Sequence, residues 1–123
     1  MSYRDVVSDA ELDIIKVLWK YGPMTSPAIF AAMENGQTKN TGTLKTLLAR
    51  LVRKGAVRCE GINSRQYLYL PVLSEEEYIK KTRRKLIDRV FDGSAQKLLL
   101  NLVKEEKITR DDLEQLIKQI EEE

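Results

Sequence analysis

Histidine is absent from this 123-residue sequence and cysteine occurs once, which restricts the chemistry available to the chain. Histidine is the commonest general base and the commonest metal ligand in proteins. The single thiol, Cys59, cannot form an internal disulfide, and one cysteine without histidine cannot make the usual thiolate zinc site. We therefore expect Cys59 to be a small, buried apolar residue, and we expect neither a metal nor another cofactor.

Familiar signatures of enzymes and membrane proteins are missing as well. The chain has no glycine-rich phosphate loop and no G-x-S-x-G elbow, and no carboxylate pair stands out that would suit a hydrolase. These absences predict a protein that is not an enzyme. No apolar run approaches the roughly 20 residues that span a bilayer. The start, MSYRDVVSDAEL, lacks the apolar core of a signal peptide, so we expect a cytoplasmic protein without membrane contact.

Acidic residues are nearly absent from one stretch of the chain. Between residues 37 and 67 there are seven lysines and arginines and one acid, Glu60, in a chain with 19 acids. The net charge of the whole chain is only +2, so the positive charge is concentrated locally. A local positive field of this kind attracts polyanions.

The centre of this basic stretch, TGTLKTLLARLVRKGAV at residues 41–57, has the periodicity of an α-helix. Asn40 is its expected N-cap and Gly55 its expected C-cap. The apolar residues fall on one face, which comprises Leu44, Leu47, Leu48, Leu51 and Val52. The opposite face lacks carboxylates and is small, polar and positive. It carries Gly42, Lys45, Thr46, Ala49, Arg50 and Arg53, with Thr43 at its border.

Two helices and a hairpin are predicted around this segment. The first helix starts at a capping box formed by Ser8 and Glu11 and ends near Tyr21, and its stripe of Leu12, Ile15, Leu18 and Trp19 faces the core. The second is short, with Thr25 or Ser26 as its cap and Pro27 in its first turn, and Asn35-Gly36 forms the following turn. After Gly55 the segments AVRCE and RQYLYLP alternate as strands around the turn GINS.

Three helices followed by a hairpin form the order of a winged helix-turn-helix, which we predict for residues 1–73. In such a domain the third helix enters the major groove of DNA, and the hairpin, or wing, lies along the backbone or minor groove. Small residues let the helix approach base edges closely. Thr43 and Thr46 offer hydroxyl and methyl groups to bases, and Lys45 donates to guanine.

Phosphate contacts are expected further along the same helix and on the wing. Arg50 and Arg53 suit phosphates, as do the N–H groups at the start of the helix, and Arg58 and Arg65 flank the wing. The alternative is a winged-helix adaptor that binds proteins without specific DNA binding, in which case the threonines are simply exposed. The candidate DNA-binding residues are Asn40, Thr41, Gly42, Thr43, Lys45, Thr46, Arg50, Arg53, Arg58 and Arg65.

The sequence of residues 74–123 predicts three further helices, which we expect to form a dimerisation region. These begin at Ser74, Ser94 and Thr109, and they are too short to bury their apolar residues against one another alone. A two-fold dimer places two recognition helices on successive major grooves, about 34 Å apart, and requires a palindromic operator. The alternative is that these helices pack against the winged domain of their own chain. The candidate dimerisation residues are Leu86, Val90, Phe91, Leu99, Leu102, Val103, Leu113, Leu116, Ile117 and Ile120.

Within the first of these helices, KKTRRK at residues 80–85 is a basic cluster. It suits DNA phosphates near the two-fold axis, acids of a partner subunit, or an ordinary solvated helix face.

Several of these segments together resemble the penicillinase-repressor family. They are SDAELDIIKVLWKYGPMTSPAIFAAM, TGTLKTLLARLVRKGAV, QYLYLP and the C-terminal helices, so the resemblance covers nearly the whole chain. The family includes repressors of β-lactamase and of methicillin resistance. The resemblance implies a dimeric transcriptional repressor with an N-terminal winged helix and a C-terminal dimerisation region: mostly α, with a small β-hairpin.

Two markers separate the branches of that family. The copper-responsive branch has a cysteine pair near its C-terminus, and this chain has no cysteine after Cys59. The antibiotic-responsive branch is inactivated when a signalling protease cuts an Asn-Phe bond in the C-terminal region. The resemblance implies Asn101-Leu102, in LLLNLVKEE, as the matching bond, with Leu in place of Phe. Alternatively, Asn101 is an ordinary polar residue on the surface of a helix and is not part of a cleavage site.

Overall fold

The computed structural model describes residues 7–33 and 40–123 of the chain. They group into two compact units, the first ending at Lys81 and the second running from Thr82 to Glu123. The predicted Asn35-Gly36 turn lies outside the described residues.

Helix α1 spans Asp9–Tyr21 and begins at the predicted capping box. The backbone N–H of Glu11 donates to Ser8 Oγ at 3.2 Å, and the N–H of Ser8 donates to Glu11 Oε1 at 2.9 Å. The predicted stripe of α1 is partly wrong. Ile14 is fully buried beside Ile15 and Leu18, whereas Leu12 is only half-buried, because the helix packs with a face rotated toward Glu11.

Helix α2 spans Ser26–Ala32 and helix α3 spans Thr41–Arg53. In α3 the four leucines of the predicted apolar face are buried, but Val52 is 36% exposed, because it lies at the edge of that face. The C-cap of α3 is Lys54 rather than Gly55. Gly55 follows it with φ of 78°, the left-handed conformation that glycine adopts without a steric cost.

A three-stranded antiparallel sheet, in the order β1-β3-β2, completes the first unit. The predicted hairpin consists of β2, Val57–Gly61, and β3, Tyr67–Pro71. Strand β1, Met24–Thr25, was not predicted, and it pairs with β3 through Met24↔Tyr69 and Thr25↔Leu68. Strand β1 therefore ties the start of α2 to the wing.

The core of the described structure lies wholly in the first unit. Leucine and isoleucine side chains of α1, α2 and α3 meet there with the start of β2 and with Leu73, two residues after the end of β3. Cys59 is less buried than predicted. It lies half-buried on the sheet, opposite Tyr69. The buried apolar residues are Ile14, Ile15, Leu18, Ile29, Leu44, Leu47, Leu48, Leu51, Ala56, Val57 and Leu73.

The C-terminal helices are α4, Glu75–Val90, α5, Ala95–Glu105, and α6, Arg110–Glu122. The side chains of Ser74, Ser94 and Thr109 accept hydrogen bonds from backbone N–H groups three residues ahead, as predicted. None of the residues of these three helices is buried.

Within residues 7–33 and 40–123, no helix has both the length and the apolarity to cross a membrane. The same residues contain no group of three or more acids or cysteines that would hold a metal ion.

Candidate nucleic-acid interface

The start of α3 is fixed by its own side chains. Asn40 Oδ1 accepts a hydrogen bond from the N–H of Thr43 at 2.7 Å, which confirms Asn40 as the N-cap. One turn later, the Thr46 hydroxyl donates to the carbonyl of Gly42 at 3.1 Å. Thr43 and Thr46 are both exposed.

The face of α3 opposite the core is exposed along its whole length. Its central residues are Gly42, Lys45, Thr46, Ala49 and Arg53, which the helical period places on one side. A Cβ built on Gly42 meets only Asn40 Oδ1, at 3.4 Å, so the fold itself leaves room for alanine there. The small surface at this point is therefore not required by packing within the chain.

The cations of α3 concentrate toward its C-terminus. Arg50 and Arg53 lie in the last turn, and no acid occurs in the first turn. Cations favour the negative end of a helix dipole, whereas the positive N-terminus is left for an external anion. Both ends of the helix therefore suit a negatively charged partner.

The tip of the wing is polar and is held by hydrogen bonds within its turn. Asn63 Oδ1 accepts hydrogen bonds from the N–H groups of Arg65 and Gln66, at 2.9 and 3.0 Å. Arg65 is exposed on this tip. Arg58, on β2, is also exposed but forms an ion pair with Glu60 at 2.8 Å, so it must exchange that partner to bind a phosphate.

An open groove of about 630 Å³ lies between α3, the wing and the start of α2. It brings Lys45 and Arg65, both predicted from the sequence, to one cleft. Burial and the neighbouring Cys59 raise the pKa of Tyr69 in this groove, so its hydroxyl stays protonated at neutral pH. The residues that line the groove are Thr25, Ser26, Pro27, Phe30, Thr41, Lys45, Arg65, Gln66, Tyr67 and Tyr69.

Several of these lining residues were not predicted as part of the site. Ser26 reaches the groove because β1 pairs with β3. The paired residues are more than forty positions apart in the sequence, so no local pattern predicts the contact. Tyr67 was assigned only to a strand, although it is 53% exposed. An exposed aromatic residue beside an arginine was the available signal, because such residues are common at binding surfaces.

Side chains of helix α1 form hydrogen bonds just before and just after the wing. Lys54, the C-cap of α3, donates to Glu11 Oε1 at 2.5 Å, and the side chain of Glu11 is only 1% exposed. Burial alone would raise the pKa of Glu11, but the hydrogen bonds from Lys54 and Ser8 outweigh it and hold that pKa below its ordinary value. Beyond the wing, Trp19 Nε1 donates to the carbonyl of Leu73 at 2.8 Å.

The candidate dimerisation residues divide into two groups. Phe91, Val103 and Leu113 are half-buried, and the other predicted residues are exposed, up to 70% for Ile120. Ile79 and Leu100 are also exposed but were not among the predicted residues.

The predicted cleavage bond and the basic cluster are both exposed. Asn101 and Leu102 lie in the middle of α5, and residues 80–85 lie on α4.

Comparison with known proteins gives matches along almost the whole chain. The family model described as "Penicillinase repressor" matches residues 7–122. The penicillinase repressor of Bacillus licheniformis is 27% identical over 94% of this chain and 90% of its own length. The methicillin resistance regulatory protein MecI of Staphylococcus aureus (strain N315) is 26% identical over 89% of each chain.

Solved structures agree with the fold of the first unit. The DNA-binding domain of the repressor BlaI is 32% identical, with a TM-score of 0.55, over 64% of this chain and 95% of that domain. The monomeric form of Bacillus licheniformis BlaI, solved in complex with the blaP half-operator, is 32% identical with a TM-score of 0.50 over 60% of this chain and 89% of its own. The predicted winged helix-turn-helix is thus confirmed, and the chain belongs to the penicillinase repressor family.

Proposed function

We propose that this chain is a sequence-specific DNA-binding transcriptional repressor and not an enzyme. The observation that carries the proposal is the exposed face of α3, which is small near Gly42, cationic at Lys45 and Arg53, and free of acids. The likeness to BlaI, solved with a half-operator, supports it. We place the protein in the cytoplasm, where it acts on double-stranded DNA without a cofactor.

The residues of α3 divide between bases and phosphates. Thr43, Lys45 and Thr46 approach base edges in the major groove, because they lie in the first turns of the helix where Gly42 permits close contact. Arg50 and Arg53 bind phosphates, which position the helix without reading sequence.

The groove beside α3 continues this surface toward the wing. Arg65 lines it from the wing and Lys45 from α3, so Arg65 can bind a phosphate in the groove while Lys45 reaches the adjoining base edge. The hydroxyl of Tyr67 and the amide of Gln66 add hydrogen-bond donors. We propose that this groove follows the DNA backbone between the major-groove contacts of α3 and the wing tip.

We also propose that residues 74–123 form a homodimer and that the operator is palindromic. The support is the exposed apolar surface of α4, α5 and α6, which includes Leu99, Leu116 and Ile120. Soluble monomers rarely expose so many large apolar side chains on neighbouring helices, and a second copy buries them. Two recognition helices then meet half-sites about one helical turn apart.

Cleavage of Asn101-Leu102 by a signalling protease is the proposed means of induction. The bond lies within α5, so a protease must act on a locally opened helix. Cleavage separates α6 from the winged helix and weakens the dimer. Each half-site is then bound singly, which lowers operator affinity by roughly 10²–10⁴.

A gel shift with DNA from upstream of the protein's own gene, repeated over a salt series, tests the DNA-binding proposal. We expect a protected palindrome and a steep fall of affinity with salt. DNA from upstream of β-lactam-resistance genes is the next probe for the same gel shift. Weak binding that is indifferent to sequence, on these and on genome-wide selected fragments, contradicts the proposal and favours a protein-binding adaptor.

Three alanine variants test the assignment of roles. Arg50→Ala should weaken binding to every sequence and lower the salt slope by about one. Lys45→Ala and Thr46→Ala should instead relax base preference at one position each, by about 1–3 kcal/mol. Equal losses on all sequences for all three variants would contradict the roles, while leaving DNA binding itself intact.

A further inference from the structure

Operator recognition requires α3 and the wing to stand at a fixed distance from each other, because they reach different parts of one duplex. Binding residues must be held within about 0.5 Å of their productive positions by the surrounding structure. The two elements are joined by a short segment, from Lys54 to Ala56. The contacts of that segment therefore decide how precisely α3 and the wing are aligned.

The carbonyl of Ala56 ties together the two ends of the wing. It accepts hydrogen bonds from the N–H groups of Val72 and Leu73, at 2.8 and 3.0 Å, and the N–H of Ala56 donates to Leu51 in α3 at 3.0 Å. Helix α1 holds this junction at two points. Glu11 binds Lys54 before the wing, and Trp19 binds the carbonyl of Leu73 after it.

We infer that Glu11 and Trp19 are positioning residues for operator recognition, which hold α3 and the wing in register although neither side chain belongs to the proposed DNA surface. The inference rests on the proposed function. It names residues that act through Lys54 and Leu73 rather than by touching DNA.

The chemistry of Glu11 supports positioning over simple stabilisation. A buried ion pair gains little stability over an apolar pair of similar volume, because both charges lose their hydration. Glu11 Oε2 is buried and has no hydrogen-bond partner in the described structure, which adds to that cost. What the pair does provide is direction, because Lys54 must meet Glu11 Oε1 at one point and thereby fixes the end of α3.

The test compares full-length variants by operator affinity, affinity for unrelated DNA, salt slope and urea unfolding. In Glu11→Leu we expect a modest loss of unfolding stability, because the Ser8 N–H loses its acceptor in the capping box while leucine fills the apolar volume around the lost carboxylate. We expect the ratio of operator to unrelated affinity to fall roughly tenfold, the size of one lost base contact, with the salt slope unchanged. Trp19→Phe keeps the ring and loses the N–H donor, and should act in the same direction.

Two controls separate positioning from charge and from folding. Glu11→Gln keeps an oxygen for Lys54 and for Ser8 and should restore the wild-type ratio. Asp13→Asn removes an acid from the same helix and should leave the ratio unchanged. An unaltered ratio in both Glu11→Leu and Trp19→Phe overturns the inference, as does a fall that only parallels lost stability.

Residual dipolar couplings of the DNA-free variants give a readout that does not depend on DNA. Glu11→Leu should change the orientation of α3 relative to β2 and β3, and an unchanged orientation overturns the inference. If the wild type shows no preference for any DNA, the proposed function fails. The couplings then still decide whether Glu11 and Trp19 hold α3 against the wing.

Discussion

Replacement of Gly42 by alanine should change folding stability and DNA binding in opposite directions. In free protein the added Cβ meets only Asn40 Oδ1, at 3.4 Å, which is ordinary contact, and the N-cap bond to Thr43 is kept. Alanine is a better helix former than glycine, so we expect the free energy of unfolding to rise by about 0.5–1 kcal/mol. Urea unfolding followed by circular dichroism measures this gain.

On DNA the same methyl group should be harmful. If α3 lies in the major groove with Gly42 near base edges, the added carbon takes the space of the closest approach and pushes the helix outward. The loss of one base contact corresponds to roughly tenfold weaker operator binding. Fluorescence anisotropy with a labelled operator duplex measures it at fixed salt.

Ala49→Gly is the matched control, because Ala49 is exposed on the same face two turns later. It should lower stability by about 1 kcal/mol. Operator affinity should stay within about twofold, since the protein remains almost entirely folded. Operator affinity of Gly42→Ala that equals or exceeds the wild-type value would refute the close approach of Gly42 to DNA.

Three further predictions concern the rest of the chain. Because the pKa of Glu11 is lowered in the folded state, its carboxylate contributes stability that is present above the ordinary pKa of 4.5 and is lost as pH falls through the lower, folded-state value. The free energies of unfolding of wild type and Glu11→Gln should therefore differ at pH 7 and converge in acid. A gap between their urea midpoints that stays constant with pH contradicts this. Lys107 has φ of 53°, so Lys107→Gly should raise the free energy of unfolding by about 1 kcal/mol, and an unfolding curve shifted the other way argues against strain there. Ile117→Glu should shift the chain toward monomer in sedimentation equilibrium, and an unchanged mass excludes α6 from the dimer interface.

Local patterns were enough to predict most of the first unit. The capping box of α1, the N-cap at Asn40 and the leucines of α3 depend on residues three or four positions apart, and the structure has all of them. The hairpin also follows from alternation and a polar turn. Each of these features is set by short-range chemistry, which a sequence displays directly.

The features that were missed depend on distant partners. Strand β1 has only two residues and exists because β3 pairs with it. Glu11 was recognised as a cap, but its burial depends on Lys54, 43 residues later. The groove beside α3 has the same origin, since Thr25, Lys45 and Tyr67 meet only after the sheet has formed.

The hydrogen bond from Thr46 to the carbonyl of Gly42 limits what that threonine is able to read. A hydroxyl has one proton, and here it is engaged within the helix, so toward DNA the oxygen acts only as an acceptor. In the major groove the donors are the amino groups of adenine and cytosine, whereas guanine and thymine present oxygen acceptors. Thr46 should therefore distinguish bases that present an amino group from bases that present a keto group, and it should not distinguish purines from pyrimidines. An operator position facing it should tolerate exchange of adenine for cytosine and reject guanine.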